Sequence, residues 1–177
     1  MRVLDLGGTA SSWLHAPTLP RELTILNLVH PSSDGPARLV SGDACDPPRE
    51  LAGERFDLVF SNSVIDQVGG HQRRGAFAEQ VHTLAPAHWV QTAYRYFPLD
   101  PYFLFPGFAS LPVAARRAIL CRWPVTIQFT REPMKAIEHV LRVELLSRTE
   151  LRYYFPTSEI MAERMAGLTK SLIAVRR

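Results

Sequence analysis

The chain has 177 residues, of which 46% are hydrophobic, enough for one domain with a real core. The formal net charge of +3 comes without any dense run of lysine or arginine, so no nucleic-acid partner is implied. No apolar run reaches membrane-spanning length and the chain opens directly in strand-like sequence, which makes the cytoplasm the expected location, with no membrane partner.

Nearly all basic residues are arginine, the lysines being Lys135 and Lys170. The pairs Arg73-Arg74, Arg116-Arg117 and Arg176-Arg177 read most simply as solvated helix faces or the end of the chain. Cys45 and Cys121 stand far apart and in no metal-ligand spacing, as expected of reduced thiols, and no metal site is expected.

Val3, Leu4 and Leu6 around Asp5 predict a buried parallel strand that ends in the bend Gly7-Gly8-Thr9. In an open α/β sheet the first such bend usually contacts the ligand, and glycine lets the backbone come close. Two glycines alone are equally well a plain turn, and the spacing departs from the three-glycine dinucleotide pattern. Prolines at 17 and 20 leave room for only a brief helix over residues 12–15. Residues 23–28 predict a second strand. Asn27, a little over 20 residues after Asp5, stands where nucleoside-binding folds carry an acid for the ribose hydroxyls. An amide there can accept from one hydroxyl and donate to another, or it simply ends the strand.

Residues 31–36 predict a loop and 38–40 a third strand, followed by the turn-rich Gly42-Asp43-Ala44-Cys45-Asp46-Pro47-Pro48. An acid at such a strand end can accept from an exocyclic amine while a neighbouring N–H reaches a ring nitrogen; the plainer alternative is an Asx turn. Residues 56–62 predict a fourth strand whose end is rich in small polar groups. Residues 72–84 predict an amphipathic helix with Phe77, Val81 and Leu84 on one face. Residues 88–92 predict the fifth strand.

Residues 94–124 break the alternation with a density of aromatics and prolines, which predicts a loop folded over something: core packing, a lid over an apolar pocket, or both. Helices are predicted over 111–122 and 133–145. Ser147-Arg148-Thr149-Glu150 has capping-box spacing and opens a short helix that stops before Pro156. Two last strands, 160–166 and 172–175, are predicted to pair antiparallel around Gly167. The predicted fold is α/β: a seven-stranded, mostly parallel Rossmann-like sheet with one antiparallel strand, helices on both faces, and an aromatic and helical insertion after the fifth strand. The insertion spans roughly residues 94–136 of a single domain, 1–177.

This pattern resembles the class I S-adenosylmethionine-dependent methyltransferases, through Val3-Leu4-Asp5-Leu6-Gly7, Gly42-Asp43-Ala44 and, most specifically, the run from Phe56 to Ile65. Arg95-Tyr96-Phe97-Pro98 with Leu104-Phe105-Pro106-Gly107-Phe108 resembles a bacterial branch acting mostly on small molecules. The resemblance implies S-adenosyl-L-methionine as cofactor. It places Asp5 and Gly7 at the methionine end, Asn27 at the ribose, Asp43 and Ala44 at the adenine and Ser61 near the transferring methyl, with Gly8, Thr9, Leu28 and Asn62 as further cofactor contacts. Asn27 replaces the family's usual acid, and Asp66-Gln67 stands where the branch commonly has Glu-His. The family's segment before the first strand has no counterpart here, so the insertion or a second subunit, as in a homodimer, is expected to cover the cofactor.

Transfer from a sulfonium needs positioning and a dry pocket, and an oxygen acceptor also needs a base within hydrogen-bond reach. The candidates are Asp66, His71, Tyr94 and Asp100, each with a plain structural reading as well: a cap, a helix start, a core tyrosine and a turn residue. The expected function is methylation of an O, N or C nucleophile on a small molecule. The alternatives are a cofactor-binding enzyme that moves no methyl group and a non-catalytic partner subunit.

Overall fold

The computed structural model describes residues 1–29, 37–126 and 128–177, so the loop expected over 31–36 lies outside the described residues. Seven strands form one sheet: β1 Arg2–Leu6, β2 Glu22–Asn27, β3 Arg38–Ser41, β4 Leu58–Asn62, β5 Ala87–Ala93, β6 Glu159–Met165 and β7 Leu168–Arg176. Their order is β3-β2-β1-β4-β5-β7-β6, and β7 alone runs against its neighbours. The predicted architecture is therefore present. The chain winds outward from β1 to β3, then returns to place β4 on the other side of β1, and this reversal opens a crevice beyond the strand tips.

Among the described residues the α-helices are α1 Ala10–Trp13, α2 Arg49–Ala52, α3 His71–Leu84, α4 Val113–Leu120, α5 Pro133–Arg142 and α6 Arg148–Tyr154. Alternation along each strand sends Leu4, Leu6, Leu26, Val59 and Val90 to one face. There they meet Leu51 of α2, Phe77 and Val81 of α3 and Leu151 of α6 in the main core. Each such buried Leu or Phe contributes roughly 1.5–3 kcal/mol of transfer free energy. The opposite face carries Phe60 and Trp89, stacked 4.8 Å apart, with Trp13 of α1 set edge-on against Phe60.

The insertion builds a second small core. Phe103 and Phe108 stack 4.1 Å apart and pack with Leu120 of α4 and Ala136 and Val140 of α5. The four-residue helix α2 lies where no element is expected, and a 3-10 turn at Phe108–Ser110 falls in a stretch expected to be loop. The helix expected over 133–145 ends at Arg142. Val143 turns extended because Val143 and Leu145 both bury their side chains in the second core, while Glu144 between them pairs with Arg74. The predicted capping box is present: Ser147 Oγ accepts from the Glu150 N–H, and the Glu150 carboxylate accepts from the Ser147 N–H. Among the described residues no helix is long and apolar enough to cross a membrane.

Candidate active site

A cleft of about 580 Å³ opens beyond the tips of β1, β2, β3 and β4. Of the residues predicted to meet a cofactor, Gly7, Asn27, Leu28, Asp43, Ala44 and Asn62 line it. Gly7 has φ of +81°, and a β-carbon on it would drive into the Val64 side chain on the far wall. Both facts demand glycine there.

The other predicted contacts stand behind the wall. Asp5 is buried, its Oδ2 accepting from the Trp13 indole N–H at 2.7 Å, and Gly8 packs directly on its carboxylate. Burial pushes the Asp5 carboxyl up to about 6, against the pull of the Trp13 and Gly8 N–H groups. Its Oδ1 has no hydrogen-bond partner. Ser61 is buried and donates to the Leu6 carbonyl at 3.0 Å, tying the tip of β4 to that of β1. Thr9 is exposed, its hydroxyl shared with those of Ser11 and Ser12.

Two cleft residues are already engaged. The Asn27 amide donates to the carbonyls of Gly7 at 3.2 Å and Gly8 at 2.9 Å, and its oxygen accepts from the Val29 N–H. Both amide hydrogens therefore hold the glycine bend in shape. Asp43 forms an Asx turn to the Cys45 N–H and an ion pair with Arg73 at 2.6 Å. Burial raises its carboxyl, but Arg73 and the Cys45 N–H outweigh it and hold the group below the usual carboxylate range. Of the arginines expected on solvated faces, Arg73 is indeed exposed, but Arg74 is not. Arg73 lines the cleft, and Arg74 is buried, with Glu144 at 2.6 Å. Their spacing one residue apart on α3 puts them on different faces, which a pair motif in sequence does not reveal.

A second hollow of about 610 Å³ shares Asn62 and Ser63 with the first. Trp89, Phe97, Leu99, Leu104 and Ile173 make its apolar walls, and Gln91, Tyr102, Glu163 and Lys170 add polar groups. Ser63, at the junction, takes φ of +59° and is held on three sides. Its N–H donates to the Gln91 carbonyl, its hydroxyl to Gln91 Oε1 at 2.9 Å, and its carbonyl accepts from Gln67 at 2.7 Å. A non-glycine residue fixed in that conformation at the meeting point of two hollows is the kind of strain that functional sites retain.

The four candidate bases are dispersed. Asp66 is fully buried next to the second hollow and accepts from the Tyr102 hydroxyl at 2.9 Å. Its carboxyl is pushed up to about 6 by burial, partly offset by Tyr102 and the Ala93 N–H. Asp100 is buried and accepts from the N–H groups of Tyr102 and Phe103, so it shapes the turn that presents Tyr102. Burial raises its carboxyl against those two bonds. Tyr94 packs against the main core and edge-on to Tyr96. His71 meets the Tyr154 hydroxyl at 2.9 Å in a separate hollow with Arg74 and Glu144. Neither Tyr94 nor His71 lines either of these two hollows.

Gln67, Val68, Gly69, Arg73 and Arg142 also line the cleft. Gln67 to Gly69 directly follow the strongest motif and could have been read from it. Arg142 comes from the end of α5 and carries no local signal. Among the described residues no group of three or more His, Cys, Asp or Glu is placed to hold a metal ion, and both cysteines are free.

No protein-family model matches the chain, and no curated protein matches it. Solved structures do share its fold. One, named provisionally as a Zn-dependent alcohol dehydrogenase from Rhodobacter sphaeroides, superposes with a TM-score of 0.62 at 10% identity, over 98% of this chain and 82% of that one. An O-methyltransferase family protein from Burkholderia thailandensis gives 0.56 at 14% identity, over 99% of this chain and 50% of that one. The O-methyltransferase NcsB1 of neocarzinostatin biosynthesis, solved with S-adenosylmethionine and a hydroxynaphthoic acid, gives 0.53 at 15% identity, over 98% and 47%. With its seven strands in this order and these structures superposing along nearly the whole chain, the chain has the Rossmann-like fold of the S-adenosylmethionine-dependent methyltransferases.

Proposed function

We propose that this chain is an S-adenosylmethionine-dependent methyltransferase acting on a small molecule. The observation that carries the reading is that the two hollows share Asn62 and Ser63, at the tip of β4, as wall residues. One hollow has the lining of a nucleoside site, and the other has apolar and aromatic walls suited to an acceptor.

The residues present fit the cofactor. Gly7 and Asn62 are placed for its amino-acid end, Asn27 and Leu28 for the ribose, and Asp43 with Ala44 for the adenine edge. Asp5, Gly8 and Thr9 act from behind by shaping the bend, and Ser61 by locking β4 to β1. When bound, the cofactor supplies an activated methyl group, so the protein's task is placement and exclusion of water. Arg142, at the end of α5 and just beyond the insertion, reaches the cleft wall, which supports a contribution of this chain's own α5 to covering the site.

Calorimetry with S-adenosylhomocysteine is the first test, with binding in the micromolar range expected. No heat at millimolar ligand would leave only a methyltransferase-like fold in a non-catalytic subunit. Mass spectrometry of acceptor mixtures incubated with the methyl-labelled cofactor is the second. A bound cofactor with no labelled product would turn the reading to an enzyme that moves no methyl group.

A further inference from the structure

We infer that Tyr102 and Asp66 form a proton relay that takes the proton of an acidic hydroxyl, aryl or enolic, bound in the second hollow. The inference rests on the methyltransferase reading and adds to it the atom methylated.

Tyr102 belongs to the wall of the second hollow, and its hydroxyl donates to Asp66 Oδ2 at 2.9 Å. The same oxygen accepts from Gln67 Nε2 at 3.3 Å, and Gln67 is held by the Ser63 carbonyl at 2.7 Å. The Tyr102 oxygen is thereby fixed near the wall shared with the cofactor cleft, within reach of the Ser63 hydroxyl, whose place a donor from the hollow would take. Asp100, through the N–H groups of Tyr102 and Phe103, fixes the main chain that carries the ring.

Asp66 is fully buried, and its Oδ1 has no hydrogen-bond partner. A buried carboxyl oxygen left unpaired in a packed wall is costly, and such groups call for an explanation beyond stability. Tyr102 is the titratable group touching that carboxyl. From β5 come the Ala93 N–H, at 3.4 Å, and the buried Thr92 hydroxyl, which with Tyr102 and the Ala93 N–H works against the rise that burial imposes on the carboxyl. After α5, the Glu144 N–H meets only the Asp66 main-chain carbonyl, and the Glu144 carboxylate turns to Arg74.

The step balances. The acceptor O–H breaks as an O–H forms on Tyr102, and the original Tyr102 O–H breaks as one forms on Asp66 Oδ2. One negative charge moves from Asp66 to the acceptor oxygen. Burial raises both the Asp66 carboxyl and the Tyr102 phenol, so a neutral tyrosine relays the proton and no tyrosinate accumulates. Tyr102 is the catalytic residue, since it would touch the acceptor, and Asp66 acts through it.

The probe is 4-nitrophenol, titrated into the protein in the presence of S-adenosylhomocysteine between about pH 5 and pH 7. In the wild type its affinity should rise several-fold across that range, as Asp66 ionises and becomes able to receive the proton. In Asp66→Asn and Tyr102→Phe the rise should vanish, with S-adenosylhomocysteine affinity unchanged. If Asp66→Asn does not fold, Tyr102→Phe carries the test, since it removes one hydroxyl from a half-buried ring. Absence of nitrophenol binding to the wild type, or the same pH response in Tyr102→Phe, overturns the relay while leaving the cofactor reading intact. Failure of the wild type to bind S-adenosylhomocysteine overturns the function itself, and the relay with it.

Discussion

The carboxylate of Asp5 occupies the space that a β-carbon on residue 8 would need. The glycine at 8 is therefore there for the acid at 5, three residues back on the strand. Together with the Trp13 indole N–H, this packing sets the bend that carries Gly7 to the cleft.

Gly8→Ala should be destabilising by about 1–3 kcal/mol through overpacking against a buried charged group that cannot retreat. Gly53→Ala is the control, because nothing lies within 4 Å of its added β-carbon. It should be neutral or stabilising by up to about 1 kcal/mol. Thermal and urea unfolding of the two variants checks the contrast, and equal effects would place Asp5 elsewhere.

Asn27→Asp tests the amide's role. Were Asn27 only waiting for a ribose, an acid would tighten cofactor binding. The structure gives the opposite sign, since the carboxylate would face the carbonyls of Gly7 and Gly8 in place of two donors. Affinity for S-adenosylhomocysteine should fall by roughly tenfold or more. Tighter binding by calorimetry would show that the amide turns to the ligand when one is bound.

Asp43 and Arg73 should separate binding from stability. Their ion pair is partly solvated, so Arg73→Gln should change stability by less than about 1 kcal/mol. Asp43→Ala removes both the Asx turn and the acceptor on the cleft wall and should weaken S-adenosylhomocysteine by about tenfold. A binding loss in Arg73→Gln as large as that in Asp43→Ala would make the arginine the ligand contact.

Stability should depend on pH in two opposing ways. Asp66 and Asp5 are raised from the usual 3.8 to about 6, so between those values the folded chain holds more protons than the unfolded one. Their contribution is then best at low pH and declines as pH rises through the folded values, by at most about 3 kcal/mol each. His88 runs the other way. It is buried against Ser158 and lowered from 6.5 to about 4, chiefly by burial, so its contribution is lost as pH falls below 6.5. Urea unfolding of Asp66→Asn across about pH 4–7 should show a more positive dependence of stability on pH than the wild type, because one group that loses stability as pH rises is removed. An unchanged slope would mean that Asp66 titrates normally.

The strands, the main helix and the capping box were legible because they are written in local pattern. Leu4, Leu6, Val59 and Val90 announce buried strands, Phe77 and Val81 a helix face, and Ser147 with Glu150 a helix start. The strand-helix alternation then implied a parallel sheet, since right-handed crossovers leave few ways to wind it. The cleft wall contributed by Gly7, Asn27, Asp43 and Asn62 followed, because ligands bind where the strand order reverses.

What tertiary structure alone decided is where the side chains of those motifs point and what already holds them. Asp5 and Asn27 look like ligand groups in sequence, yet the fold engages one under Gly8 and the other on two carbonyls. Tyr102 was one aromatic among many until Asp100 and Gln67 positioned its hydroxyl 2.9 Å from Asp66, 36 positions earlier in the chain. Burial and hydrogen-bond partnership depend on contacts between distant segments, and no periodicity within a single segment encodes them.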